Sequence, residues 1–400
     1  MKHKAGKAVW IVLDGVGVGA LPDAGFYGDE GAATLQHVAA ACGGLSLPNL
    51  QLLGLGHLAD IPGVPPAPHP RGAFGRMRQQ AAGKDSISGH WEMMGVVLAE
   101  PFATFPQGFP SELMERFAAL AGCPPLGNVA ASGTAILDCY GAEHLRSGQP
   151  IVYTSVDSVF QIAAHVDVFP PEKLYALCLQ VRSLADEYRI GRVIARPFCG
   201  DPLGGFRRTG GRRDFPSPPP VPTLLERLST AGVAVWAVGK LADLFAGRGI
   251  ARQLPTRDNE DGMARILESL AELPSPGLLA ANLIDFDMIY GHRQDAVGFG
   301  QALGSFDAWL PQLQALLDDG DLLLISADHG CDPLTPGTDH TREYVPVLAW
   351  QPGFRKASPL GIRESFADLG ATLAEFFEIR LPAGVSFLGE AGLAASQRWS

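Results

Sequence analysis

The chain has 400 residues, 46% of them hydrophobic and 18% charged, which leaves ample material for a core and excludes a disordered or fibrous chain. Lys+Arg 31 against Asp+Glu 42 gives a net charge of −11, an acidic balance that disfavours nucleic-acid binding because a polyanionic backbone rewards basic patches. It leaves room for an anionic small molecule, provided arginines or metal ions concentrate positive charge locally.

Ala8–Leu13 (AVWIVL) is a short, nearly continuous apolar run and reads as a strand buried on both faces. Gly15-Val-Gly17-Val-Gly19-Ala20 follows it and fits the G-x-G-x-x-A dinucleotide pattern. No helical stripe develops after Ala20, so the glycines are expected instead to turn the backbone tightly and leave Asp14 at the strand's C-terminal end, where open α/β sheets bind ligands. From Pro101 the pattern changes. Phe109–Ala121 and Glu172–Tyr188 read as helices, and Ile151–Ser155 and Arg192–Phe198 as strands, up to the proline-dense Pro216–Pro222. Beyond it, Val233–Val238, Leu278–Ile284, Leu322–Ser326 and Val345–Trp350 are again buried-strand runs. Between and after them, helical stripes appear in Glu260–Leu273, Phe299–Leu317 and Thr372–Ile379. The expected architecture is α/β, a largely parallel central sheet flanked by helices, with an inserted smaller α+β cap. The expected domains are 1–100 and 221–400 for the core and 101–220 for the cap.

Three strand exits carry metal-competent side chains. Asp14 follows the first strand, Asp287 and His292 follow Leu278–Ile284, and Asp328-His329 follows Leu322–Ser326, with His340 eleven residues on. Asp and His suit divalent ions such as Mn²⁺ or Zn²⁺, and six such groups on one sheet edge suffice for two ions about 4 Å apart. Gly83-Lys84-Asp85-Ser86-Ile87-Ser88-Gly89-His90 offers two hydroxyls, Ser86 and Ser88, in a turn entering a helix. Such a turn suits an attached phosphoryl group, and a divalent ion favours the alkoxide of an otherwise weak nucleophile. Either serine is also a candidate helix cap. Arg207, Arg208, Arg212 and Arg213 crowd one short stretch of an acidic protein, a charge run that is either a solvated loop or a phosphate clamp. No run approaches the ~18 apolar residues of a membrane span, and the N-terminal run is too short for a secretory segment. The six cysteines are scattered without a CxxC pair, so a cytoplasmic protein is expected.

Taken together, VWIVLDGVGVGALPDA (Val9–Ala24), GKDSISGHWEMMG (Gly83–Gly95), IVYTSVDSVFQIAAH (Ile151–His165), RVIARPF (Arg192–Phe198), NLIDFDMIYGHRQD (Asn282–Asp295) and ADHGCDP (Ala327–Pro333) make the chain resemble the prokaryotic-type phosphopentomutases of the alkaline phosphatase superfamily. The resemblance implies an alkaline-phosphatase-like core and an isomerase that interconverts (deoxy)ribose 1-phosphate and 5-phosphate through a phosphorylated enzyme and a 1,5-bisphosphate. It implies two Mn²⁺ ions, one on Asp287, His292 and His340 and the other on Asp14, Asp328 and His329, with Ser86 as nucleophile where the family has threonine. It implies a sugar bisphosphate as priming activator and sugar phosphates as small-molecule partners; charge and hydropathy predict neither nucleic acid nor membrane as a partner. Oligomeric state stays open. Substrate contacts implied are Arg196, Arg208 and Lys240, with Ser155 and Asp157 at the sugar or behind the metal ligands, while His90 and His165 are left as structural residues. A metal-dependent phosphatase or a cofactor-independent phosphoglycerate mutase would share the core. A nucleotide-binding oxidoreductase is the alternative from another class, and it requires a helix at Ala20.

Overall fold

The structure, a computed structural model, describes residues 6–155 and 158–395. Two compact units divide the chain, Met1–Glu100 with Pro219–Ser400 as one and Pro101–Pro218 as the other. In chain order the strands are β1 (Lys7–Leu13), β2 (Ala73–Met77), β3 (Leu126–Ala130), β4 (Ile151–Thr154), β5 (Val159–His165), β6 (Arg192–Asp201) and β7 (Gly205–Arg208). They continue with β8 (Arg213–Pro216), β9 (Ala234–Val238), β10 (Arg252–Leu254), β11 (Gly277–Leu283), β12 (Leu322–Ser326), β13 (Val345–Trp350) and β14 (Ser358–Arg363).

The larger unit is built on the sheet β10-β9-β11-β1-β12-β13-β2-β14. β1 lies at its centre, parallel to both β11 and β12, with Val9 opposite Leu279 on one side and Leu323 on the other. These three strands are buried along nearly their whole length, the reason their sequences are apolar without alternation. The sheet is largely parallel, with one exception: β13 runs antiparallel to β12 and to β2. The helix Asn259–Glu272 is capped by the Asp258 side chain and buries Ile266 and Leu270. Helix Ala296–Ala315 buries Leu303, Phe306, Leu310 and Leu313, the stripe its sequence predicts. The last long helix, Ala367–Phe376, starts five residues before the expected Thr372. Its first turns hold Gly370 and Ala371, which bury without marking an apolar stripe.

The smaller unit carries the sheet β3-β4-β5-β6-β7, with β8 pairing β6. Helices Ser111–Ala121 and Pro171–Glu187 place Leu113, Phe117, Leu174 and Val181 against Phe160 and Ile162 on one face. Ile136 and Leu137 of helix Ala135–Ser147 cover Ile151, Tyr153 and Phe198 on the other. Both faces are therefore buried, and the unit has its own core.

Candidate active site

β1, β11 and β12 are adjacent and parallel, so their C-terminal ends open on one edge of the sheet. Asp14 leaves β1 fully buried, and the next residue, Gly15, has φ +78, a left-handed conformation that sets the sharp turn. A Cβ at Gly15 would lie 2.9 Å from Cys331 Cβ, so close packing also demands glycine there. No helix opens at Ala20, which instead forms an isolated bridge with Glu343, and this removes the structural requirement of the dinucleotide reading.

After β11 the chain makes a π-helical turn, Phe286–Gly291, in which His292 N donates to Asp287 O at 3.0 Å. The wider winding returns residues five apart to one side, and π-turns are frequent at functional sites. Here it brings His292 Nε2 to 3.4 Å from Asp287 Oδ1. His340 Nε2 also lies 3.4 Å from Asp287 Oδ1, although its loop is remote in sequence. Beyond β12, His329 Nε2 stands 3.3 Å from Asp328 Oδ2 and 3.4 Å from Asp14 Oδ1. Among the described residues three ligand sets have their donor atoms within 4.8 Å of one another: Asp287, His329 and His340; Asp14, Asp328 and His329; and Asp287, His292 and Cys331. The six expected metal ligands all fall in these sets, Asp287 and His329 each in two of them, and the expected trio Asp287, His292 and His340 is divided between the first and the third. Cys331, a residue the sequence presents only as a small buried hydrophobe, lies among them.

These residues fit divalent cations. Asp14 Oδ1, Asp287 Oδ1 and Asp328 Oδ2 are buried without a hydrogen-bond partner and have imidazole nitrogens beside them. His329 Nδ1 faces Gly330 O at 3.0 Å and His292 Nδ1 faces Thr338 O at 2.5 Å. Donation from those nitrogens fixes the tautomers and leaves both Nε2 lone pairs to the site, a common arrangement for metal-binding histidines. The charges of the metal-free protein show the same crowding. Burial and the neighbouring Asp328 push the Asp14 carboxyl up to about 7, against the pull of Lys240. Burial draws His329 down to about 4. Burial opposes protonation of His340 too, yet the Asp287 carboxylate raises it to about 9.

Ser86 opens the helix Ser86–Met93 and is half-buried; its Oγ lies 3.1 Å from His329 Nε2. The cap is Asp85, whose carboxylate accepts from Ser88 N at 3.0 Å and Ser88 Oγ at 2.6 Å. Ser88 is thus buried and engaged, and Ser86 is the hydroxyl beside the Asp/His cluster. Glycine at 89 makes this possible, since a Cβ there would sit 2.1 Å from Asp328 O. Two further residues belong to the site. His90 is fully buried, with Nδ1 2.8 Å from Ser86 O and 3.1 Å from Asp328 Oδ2. Asn282 donates from Nδ2 to Asp14 Oδ2 at 3.1 Å. A buried Asn at the end of an apolar strand is the signal that singles it out. Lys240 Nζ stands 3.6 Å from Asp14 Oδ2.

The remaining expected contacts belong to the smaller unit. Arg196, on β6, holds Gln161 Oε1 through Nε at 3.0 Å. Burial and the nearby Arg212 lower its pKa, and Arg208 also bears on it. Arg208 ends β7, opposite Phe198 of β6. Ser155 follows β4, and Asp157 lies outside the described residues. His165 packs edge-on against Phe198 and pairs Gly200 O at 2.9 Å. Among the described residues no helix is long and apolar enough to cross a membrane.

A family model described as the metalloenzyme superfamily matches residues 6–381. The phosphopentomutase of Syntrophotalea carbinolica is 56% identical over 382 residues, covering 96% of this chain and 97% of that protein. The phosphopentomutase of Anaeromyxobacter dehalogenans is 53% identical over 385 residues, covering 96% and 98%. Among solved structures, a Leishmania mexicana phosphoglycerate mutase aligns over 100% of this chain and 98% of its own at 13% identity and a TM-score of 0.41.

Proposed function

The chain belongs to the phosphopentomutase family, an isomerase family within the metalloenzyme superfamily, and from that premise we propose that its reaction passes through a phosphoryl group carried on Ser86. One observation carries this reading: the Ser86 Oγ lies 3.1 Å from His329 Nε2, which itself stands within 3.4 Å of the buried Asp14 and Asp328 carboxylate oxygens that lack donors. Priming transfers a phosphoryl group from a sugar bisphosphate to Ser86. In turnover the Oγ–P bond breaks as the free hydroxyl of a pentose monophosphate bonds to phosphorus, its proton passing to the released Ser86 Oγ, giving the 1,5-bisphosphate. The second phosphate then returns to Ser86, and the isomeric monophosphate leaves. Ribose and 2-deoxyribose phosphates are both within this reading.

Asp287, His292 and His340 would hold one divalent cation, and Asp14, Asp328 and His329 the other; when bound, such ions, taken here as Mn²⁺, screen the transferring oxygens and favour the ionised serine. The chain's own residues do the rest. The helix Ser86–Met93 places the phosphoryl-bearing oxygen at its positive end. Lys240, beside Asp14, is assigned to a substrate oxygen. In the smaller unit Arg196 and Arg208 are assigned to a phosphate, with Ser155 and Asp157 assigned to the sugar. The six cysteines, all free, support a reducing, cytoplasmic setting.

The test is to incubate manganese-loaded protein with ribose 1-phosphate and a trace of sugar bisphosphate, following 5-phosphate and free phosphate together. Isomer formation far faster than phosphate release is expected. Phosphate release exceeding isomer formation would make the chain a phosphatase and overturn the reading.

A further inference from the structure

The Arg342 side chain is only 3% exposed, although arginine is seldom buried. Its Nη1 donates to Gln79 Oε1 at 2.9 Å, Ala81 O at 2.7 Å and Gly83 O at 2.8 Å. Its Nη2 donates to Gln79 O at 3.2 Å and Asp23 Oδ2 at 3.0 Å, and Nε faces the same carboxylate at 3.3 Å. All three nitrogens of the guanidinium are therefore engaged. The carbonyls it grips belong to the segment between β2 and Ser86, which runs through no strand or helix. Tyr27 completes the set: its ring stacks 4.9 Å from the guanidinium, and its hydroxyl donates to Ala82 O at 2.7 Å.

The backbone of Arg342 is tied to the other half of the site. Thr341 exchanges backbone hydrogen bonds with Gly330, at 2.8 and 3.1 Å, so the segment that carries His340 and Arg342 is fastened next to His329. Lys84 adds a second tie, with Nζ 3.1 Å from Asp29 Oδ2 and 3.4 Å from Asp339 Oδ2, while Arg342 N donates to that same Asp29 oxygen at 2.9 Å. One guanidinium thus spans from the histidine-bearing loops to the loop that delivers Ser86.

We propose that Arg342 is a positioning residue that fixes Ser86 Oγ against His329, acting through the carbonyls of Gln79, Ala81 and Gly83 and touching neither substrate nor cation. The idea rests on Ser86 as the phosphoryl carrier. In-line transfer is sensitive to displacements of about an ångström, which cost up to ~10²-fold in rate. Lysine cannot reproduce the fork: its single ammonium reaches the carbonyls or Asp23, not both sets.

The test compares wild type with Arg342→Lys and Tyr27→Phe, each manganese-loaded, measuring kcat and KM per folded molecule, manganese affinity by calorimetry, and phosphate incorporated at residue 86. Arg342→Lys should lower kcat by about 10- to 100-fold and slow phosphorylation of Ser86, with KM and manganese affinity within about threefold of wild type. Tyr27→Phe, which removes one hydrogen bond and keeps the ring, should lower kcat by a smaller factor with the same split. If Arg342→Lys does not fold, Tyr27→Phe decides alone. Lower melting temperatures with kcat per folded molecule within twofold of wild type in both variants would make the arginine a stability element and overturn the proposal. A wild-type protein that is active yet never phosphorylated at Ser86 would instead overturn the reading of Ser86, which separates the two failures.

Discussion

Ser86 and Ser88 stand two positions apart in one short helix, and their surroundings give them different chemistry. Ser88 donates its proton to Asp85 at 2.6 Å and is fully buried, whereas Ser86 Oγ meets the imidazole of His329 at 3.1 Å. Ser86→Ala should therefore reduce isomerisation by at least about 10³-fold and abolish labelling by a radioactive sugar bisphosphate, with metal content unchanged. Turnover within tenfold of wild type would move the role to another oxygen. Ser86→Thr keeps the hydroxyl and should keep activity. A second consequence concerns protons. In the metal-free protein His340 holds a proton below about 9 and Asp14 below about 7, and each must release it to bind an ion. Lowering the pH from 9 to 7 should weaken manganese affinity at the site that includes His340 by up to about tenfold per unit, and below 7 the site that includes Asp14 should weaken as well. Titration calorimetry in buffers of different ionisation enthalpy reads both numbers, and an affinity independent of pH would contradict the assignment. Asp14, Asp287, His292, Asp328 and His329 were legible in the sequence because they follow strand ends, whereas His340 sits in a loop eleven residues after His329. His90 was not, since its role depends on one helical turn carrying its ring from Ser86 O to Asp328.

At the scale of elements, the helix Ser86–Met93 is held by features a hydrophobic pattern does not display. Glu92, inside it, is fully buried and accepts from Gln80 N, Ala81 N, Phe366 N and Ser365 Oγ at 2.6–2.9 Å. Glu92→Gln turns an amide NH₂ toward some of those donors and should cost roughly 2–4 kcal/mol of stability, read from chemical denaturation. A cost below about 0.5 kcal/mol would mean that the network is not formed. Gly89→Ala forces a methyl group onto Asp328 O at 2.1 Å, which should destabilise by about 1–3 kcal/mol and lower activity by displacing Ser86. Wild-type stability and turnover would show that the helix does not approach Asp328 as described. The buried parallel strands were legible from their apolar runs. β2 (AFGRM) and β14 (SPLGIR) were not, because they are short and interrupted by Gly, Pro or Arg. β5 is wholly buried, but Gln161 and His165 break its apolar run. The π-turn that aligns Asp287 with His292 has no sequence signature at all.

For the molecule as a whole, convergence is a property of topology. β1, β11 and β12 are far apart in sequence and become neighbours only because the sheet orders them β11-β1-β12. His340 joins them through a loop rather than a strand end, and Arg342 and Lys84 tie that loop to the one that delivers Ser86. The alternation of strands and helices announced the α/β class and the apolar runs announced the centre of the sheet. The antiparallel β13, by contrast, depends on a reversal that an apolar run cannot encode. The most direct check of the central claim is an anomalous-scattering map at the manganese edge from crystals soaked in Mn²⁺. Two peaks about 4 Å apart are predicted, one against Asp287, His292 and His340 and the other against Asp14, Asp328 and His329, with Ser86 Oγ beside the second. A single peak elsewhere, or two peaks with Ser86 turned away from both, would contradict it.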